Sequence, residues 1–141
     1  MTSVWTRIRS EAERVQKRVD ITLRPHDFSY KRNTSLEHRR ISCQRARKVY
    51  PDRVPVVLER ASTDCPELER FKFLIPIDMT VAQFLHVVRF RLRMGSEHAI
   101  LLFVHNRVPV TSERMGLVYD QNKDMDDGFL YMRYDREHAF G

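Results

Sequence analysis

The stretch FKFLIPIDMTVAQFLHVVRFRL, Phe71–Leu92, changes its hydrophobic period part-way along. Phe71 to Ile75 is a short β-rich run and predicts a strand. Thr80-Val81-Ala82-Gln83 then carries the capping-box pattern, in which the Thr hydroxyl and the Gln side chain satisfy free backbone N–H groups of a helix start. Beyond it Val81, Phe84, Leu85, Val88 and Leu92 fall on one helical face, so this helix buries that stripe, with Gly95 expected to end it. Phe90 lies opposite the stripe, where a charged residue is expected.

Outward from this pair the same texture continues. Val54 to Arg60 predicts a strand ahead of it, separated by the Ser-, Thr-, Asp- and Pro-bearing loop Ala61 to Glu69. Ile100 to His105, apolar throughout up to Val104, predicts a central strand. A turn at Asn106-Arg107, a short helix around Glu113 to Asp120, the turn Asp126-Asp127-Gly128 and a last strand Phe129 to Tyr134 complete the series. Each element has a half-apolar face to bury. The compact solution is an α+β, ubiquitin-like β-grasp: a four-stranded mixed sheet around one long helix. Residues 135–141 show no periodicity and are expected to form an exposed, mobile tail.

Two additional helical segments precede the sheet. Val4, Trp5, Ile8, Ala12, Val15 and Val19 make an amphipathic stripe in a basic extension, residues 1–27, with a hinge over residues 20 to 29 around Pro25. A helix from Ser35 to about Val49 places Leu36, Cys43, Ala46 and Tyr50 on one side and turns Arg39, Arg40, Arg45, Arg47 and Lys48 largely to solvent. Residues 28–52 thus read as a helical subdomain of a domain spanning 28–141. The net charge of +6 is concentrated here: residues 1–52 hold 13 Lys/Arg against 6 Asp/Glu, the remainder 12 against 13. A basic front on a near-neutral body suits an acidic partner.

Catalysis is not indicated. The six histidines are scattered, no nucleophile stands beside a base, and four glycines leave little for a phosphate loop. Asp124, Asp126 and Asp127 lack calcium-loop spacing and read as a solvated turn. Cys43 and Cys65 have no thiol or histidine at ligand spacing and are expected as reduced thiols, so neither metal nor cofactor is expected. The longest apolar run, Ala99 to Val104, is far short of a membrane span, and the chain is expected in the cytoplasm.

Several stretches then fall in one family's order and spacing: Arg53-Val54-Pro55-Val56-Val57, Phe73 to Phe84, Ala99-Ile100, Phe103-Val104, Pro109-Val110-Thr111, Met115, Tyr119, Lys123-Asp124, Asp127 to Tyr131 and the closing Phe140-Gly141. Over roughly residues 28 to 141 the chain resembles the autophagy ubiquitin-like modifiers, the family of GABARAP and the microtubule-associated light-chain proteins. The resemblance implies a non-enzymatic role. Gly141 would be taken up by activating and conjugating enzymes and joined to phosphatidylethanolamine on the autophagosome membrane, and a cysteine protease would process the precursor and reverse the linkage.

It also implies docking of cargo receptors that carry an aromatic-x-x-aliphatic motif. The aromatic pocket would use Ala46, Pro55, Val57, Lys72, Leu74 and Phe129. The aliphatic pocket would use Phe73, Ile75, Pro76, Met79, Phe84 and Val87, with Arg53 and Arg91 meeting the motif's acidic flank. Ser42 and Gln44 stand where relatives usually carry acids. Trp5 and Ile8 themselves have the motif's spacing, so the extension is expected either to cover the chain's own pocket or to lie on anionic membrane. Conjugation to a protein lysine, and an unconjugated adaptor binding RNA or microtubules through the basic half, remain open alternatives, although nucleic acid is not the expected partner.

Overall fold

A computed structural model describes residues 27–95 and 97–137. The elements are α1 (Ser29–Asn33), α2 (Leu36–Val49), β1 (Arg53–Arg60), β2 (Lys72–Pro76), α3 (Val81–Leu92), β3 (Ile100–Phe103), α4 (Met115–Asn122) and β4 (Leu130–Arg136). The strands form one sheet in the order β2-β1-β4-β3, with β1 and β4 parallel and both outer pairs antiparallel. This is the expected mixed sheet of a ubiquitin-like fold. The amphipathic stripe Val4 to Val19 lies outside the described residues.

The capping box at Thr80 forms in both directions: Gln83 N donates to Thr80 Oγ1 at 3.2 Å and Thr80 N to Gln83 Oε1 at 2.9 Å. From that start α3 lays Val81, Phe84, Val88 and Leu92 on the sheet, where they join Val54, Val56, Leu58, Ile75, Leu102, Leu130 and Met132 in the main core. Helix α3 ends at Leu92, not at Gly95. Arg93 itself takes the left-handed conformation (φ 56°) and its N–H returns to Phe90 O.

Four further expectations are corrected. The apolar run from Ile100 is an edge strand, not a central one, because β4 takes the place beside β1; its apolar character reflects the helix-covered face and the buried Phe103. The strand predicted to stop at Tyr134 continues through Asp135, which is 1 % exposed, and Arg136, so these two residues belong to the sheet and not to the expected tail 135–141, whose residues 138–141 lie outside the described residues. Arg39 does not face solvent: its Nε donates to Asp127 Oδ2 at 2.9 Å and its Nη1 to Thr34 O at 2.6 Å. Nor is the Asp124–Asp127 turn merely solvated, since Asp124 binds Lys31 Nζ at 2.5 Å. Periodicity assigns charged side chains to water by default; here a buried acid recruits them instead.

Gly128 shows why that turn has a glycine. Its φ is +87°, and a Cβ there would lie 2.8 Å from Cys43 Sγ, so α2 approaches the turn closer than any side chain allows.

Candidate functional site

Among the described residues no strand pairs with the outer edge of β2, which is flanked by helices on both faces, and its backbone is set for pairing. Antiparallel residues alternate between pairs that exchange backbone bonds and pairs that turn theirs outward. Leu58 N donates to Phe71 O at 2.8 Å, which makes Val56–Phe73 and Val54–Ile75 the inward pairs. Lys72 and Leu74, opposite Val57 and Pro55, therefore direct their N–H and C=O groups away from the sheet. Pro55 is tolerated in an inner strand because its missing N–H faces the β4 side, where pairing starts only at Val56.

The strand's side chains divide between two surfaces. Lys72, Leu74 and Pro76 face the α2 side, while Phe73 and Ile75 face α3. On the α2 side Leu74 and half-buried Ala46 line a shallow groove whose wall is Ile41, Val49 and Tyr50, exposed by 42 %, 59 % and 46 %. Lys72 holds its ammonium 5.2 Å from the Tyr30 ring centroid. Half-buried Pro76 falls by alternation on the α2 side, so the expected aliphatic set is divided; on the α3 side Met79 and Val87 are half-buried at the surface. Phe73 lies beneath them, edge-on to Phe84 with ring centroids 5.5 Å apart, and Arg91 sits over Phe73 at 5.7 Å. Arg53 Nη1 reaches Leu74 O at 3.3 Å.

Some of the sequence-derived positions are closed. Val57 and Phe129 belong to a sealed cluster with Phe28, Tyr30, Cys43 and Tyr131, and Pro55 is buried. Phe84 is a core residue at 0 % exposure, and Ile75 is buried as well. These residues floor the two surfaces and do not open onto them. Sequence reasoning missed Ile41 and Val49. They stand eight residues apart along α2, with Arg45 midway, and such an i, i+4, i+8 stripe displaced from Cys43 could have marked a second helix face. Trp5, Ile8 and Gly141 lie outside the described residues.

The sealed cluster is bounded by buried charge. Asp127 accepts from Arg39, from the Tyr131 hydroxyl and from Phe129 N at 2.9 Å. Burial raises the Tyr30 phenol above its ordinary value and brings the Arg133 guanidinium down to about 10. Arg133 stacks 4.1 Å from the Phe28 ring centroid and donates to Asp27 O at 2.7 Å. Glu59, beside it in the β1–β4 register, caps α1 by accepting from Ser29 N at 2.8 Å and Tyr30 N at 3.0 Å. Both cysteines are free and buried, and burial raises both thiols, Cys65 to about 12. Among the described residues no group of three or more His, Cys, Asp or Glu is placed to hold a metal ion.

An open strand edge between two apolar surfaces is a peptide-docking geometry, and comparison with known proteins agrees with a fold of this type. The family model described as "Autophagy protein Atg8 ubiquitin like" matches residues 38–141. Autophagy-related protein 8c of Arabidopsis thaliana is 48 % identical over 114 residues, which cover 80 % of this chain and 95 % of that protein. Autophagy-related protein 8A of Oryza sativa subsp. indica is 46 % identical over 114 residues, with 80 % and 95 % covered. A crystal structure of Trypanosoma brucei ATG8 matches with a TM-score of 0.76 and 39 % identity, over 82 % of this chain and 99 % of that one. The chain therefore belongs to the Atg8 family of autophagy ubiquitin-like proteins.

Proposed function

We propose that this autophagy protein is a conjugated modifier and docking scaffold, not a catalyst: it is joined through Gly141 to phosphatidylethanolamine on the autophagosome membrane and presents β2 to cargo receptors there. The observation that carries the docking half is the free edge at Lys72 and Leu74. Among the described residues no strand pairs with it, and its outward backbone groups, of which Leu74 O accepts from Arg53 Nη1 at 3.3 Å, lie between the groove floored by Leu74 and the surface of Met79 and Val87. A peptide added as a strand gains backbone bonds from that edge, and side chains at alternating positions reach one surface each. Lys72, Arg53 and Arg91 make the rim basic, which favours acidic residues beside the motif's aromatic position.

Support for the conjugation half is the family match, which runs through the Phe140-Gly141 pair. A glycine in an extended segment admits the narrow passage that activation and thioester transfer require. Activating and conjugating enzymes, a processing and delipidating cysteine protease, and receptors with aromatic-x-x-aliphatic motifs are the partners this reading names. Because Val57 and Phe129 are sealed, a bulky aromatic guest enters deeply only if α2 shifts on the sheet; otherwise it rests on Leu74, Ala46 and Ile41.

Two measurements test the halves separately. With activating and conjugating enzymes, ATP and phosphatidylethanolamine vesicles, a gel shift is expected for the wild type and not for a Gly141-deleted form; identical behaviour of the two ends the conjugation reading. Titration with an acidic-flanked aromatic-x-x-aliphatic peptide is expected to weaken about tenfold in Leu74→Asp, which puts an unpaired charge on the groove floor. Unchanged affinity in a folded Leu74→Asp protein ends the docking reading.

A further inference from the structure

Phe90 is 78 % exposed on the outer face of α3, directly opposite the buried Val88 and Leu92. Arg89, Arg91 and Arg93 surround it in sequence, and His86 lies one turn back on the same outer face. Arg89 is engaged with the following loop, donating to Gly95 O at 2.7 Å and to His98 O. Among the described residues neither Arg91 nor Arg93 is in an ion pair. An aromatic ring with a basic surround is the composition of an interfacial, lipid-facing surface.

Topology brings this surface to the end of the molecule where the chain leaves the sheet. The first residue of β3, Ile100, pairs with Arg136, and Glu137 N donates to Ala99 O at 2.8 Å. The loop joining α3 to Ala99 is folded back on the helix by Arg89. The last turn of α3 and the root of the C-terminal segment are therefore neighbours. Four residues, 138–141, follow Glu137, and four residues fully extended span at most about 14 Å. A lipid on the Gly141 carboxylate thus holds the bilayer surface within that distance of Glu137, next to α3's basic end.

We infer that the outer face of α3, with Phe90 as its inserting side chain and Arg93 and His86 beside it, seats on an anionic phospholipid bilayer once the chain is anchored, while Arg91 stays over Phe73 on the β2 side. The inference rests on the lipid-anchor reading of Gly141. It orients the protein on the membrane: Phe90 enters the headgroup–acyl boundary and the opposite end of β4, with the turn at Met125, points away.

The test uses the full chain with Trp5→Phe and Phe90→Trp, so that the only tryptophan reports from position 90. Gly141→Cys couples it to maleimide-phosphatidylethanolamine in vesicles containing phosphatidylserine and brominated lipid; Cys43 and Cys65 are buried. Tethering replaces enzymatic conjugation, so failure of the gel-shift assay and failure here are distinct results. Emission from position 90 is expected to shift to the blue and be quenched on tethering, while a Met125→Trp reporter, 89 % exposed in the native side chain, stays unquenched. Position 90 unquenched, or both positions quenched alike, overturns the inference. A blue-shifted emission already present in the untethered protein and relieved by removing residues 1–26 assigns Phe90 to the chain's own extension and overturns it equally.

Discussion

On one face of the sheet α3 buries Val81, Phe84, Val88 and Leu92 in a core whose members are almost all apolar. On the other, α1 and α2 meet the sheet through six residues, Phe28, Tyr30, Cys43, Val57, Phe129 and Tyr131, framed by the Lys31–Asp124 and Arg39–Asp127 pairs. Dispersion and area removed from water hold the first face, and they are insensitive to direction and to pH. Aromatic edges and buried charge hold the second, and they demand particular geometry. The β2 edge lies along the boundary between them, so each surface beside it is expected to inherit the mechanics of its own side: a firm floor under Met79 and Val87, a displaceable one under Leu74.

The contrast breaks most sharply at Phe84. Truncation to Ala removes a ring at 0 % exposure and its edge-on contact with Phe73. The expected loss is about 4 kcal/mol of global stability, read from denaturant unfolding as one cooperative shift of the whole domain. Asp127→Asn comes next. It leaves Arg39, whose side chain is 11 % exposed, without its carboxylate while keeping the shape of the site. A loss of about 3 kcal/mol is expected, with amide exchange accelerated in α1 and α2 before α3. Uniform acceleration across α1, α2 and α3 would show that the two faces form one cooperative unit.

The cysteines offer a third comparison, one on each side. Cys43 is in the aromatic cluster and Cys65 in the main core. Burial raises both thiols, so neither reacts from the closed state at neutral pH. In sub-denaturing urea, labelling follows opening of the surroundings, and Cys43 is expected to react about tenfold faster, an opening free energy lower by about 1.4 kcal/mol. Equal rates would erase the mechanical difference.

Much of the first face was legible in the sequence and much of the second was not. The Thr80 capping box, the stripe from Val81 to Leu92 and strands within a residue or two of Val54–Arg60 and Phe71–Ile75 are local patterns, and local patterns survive into the fold because burial enforces them. Strand neighbours are not local. Nothing in Ile100–Phe103 says that β4 will take the place beside β1, so an apolar run that reads as central sits at the edge. Helical periodicity turns Arg39 to water because its partner Asp127 is 88 residues away and invisible to a local pattern. The candidate site was half legible: the outward face of β2 follows from alternation, whereas the closure of Val57 and Phe129 depends on how tightly Tyr30 packs, with its ring 5.4 Å from that of Phe129.

Acid sharpens the comparison by the smallest amount. Burial by itself raises the Asp124 carboxyl, yet the Lys31 ammonium at 2.5 Å and the N–H groups of Asp126 and Asp127, at 2.8 and 3.0 Å, hold it below the ordinary carboxylate value. A folded pKa below the unfolded one stabilises fully above the unfolded value, about 3.9, and that contribution disappears as pH falls through the folded value. The attachment of α1 is therefore expected to be constant from neutral pH to about pH 5 and to weaken by about 1 kcal/mol in stronger acid. Faster Cys43 labelling is the readout, with Cys65 the internal reference. In Lys31→Met the carboxylate loses its principal partner, its pKa moves back toward the unfolded value, and the acid step shrinks. A step of unchanged size in that variant would show that the acid response does not come from the Lys31–Asp124 pair.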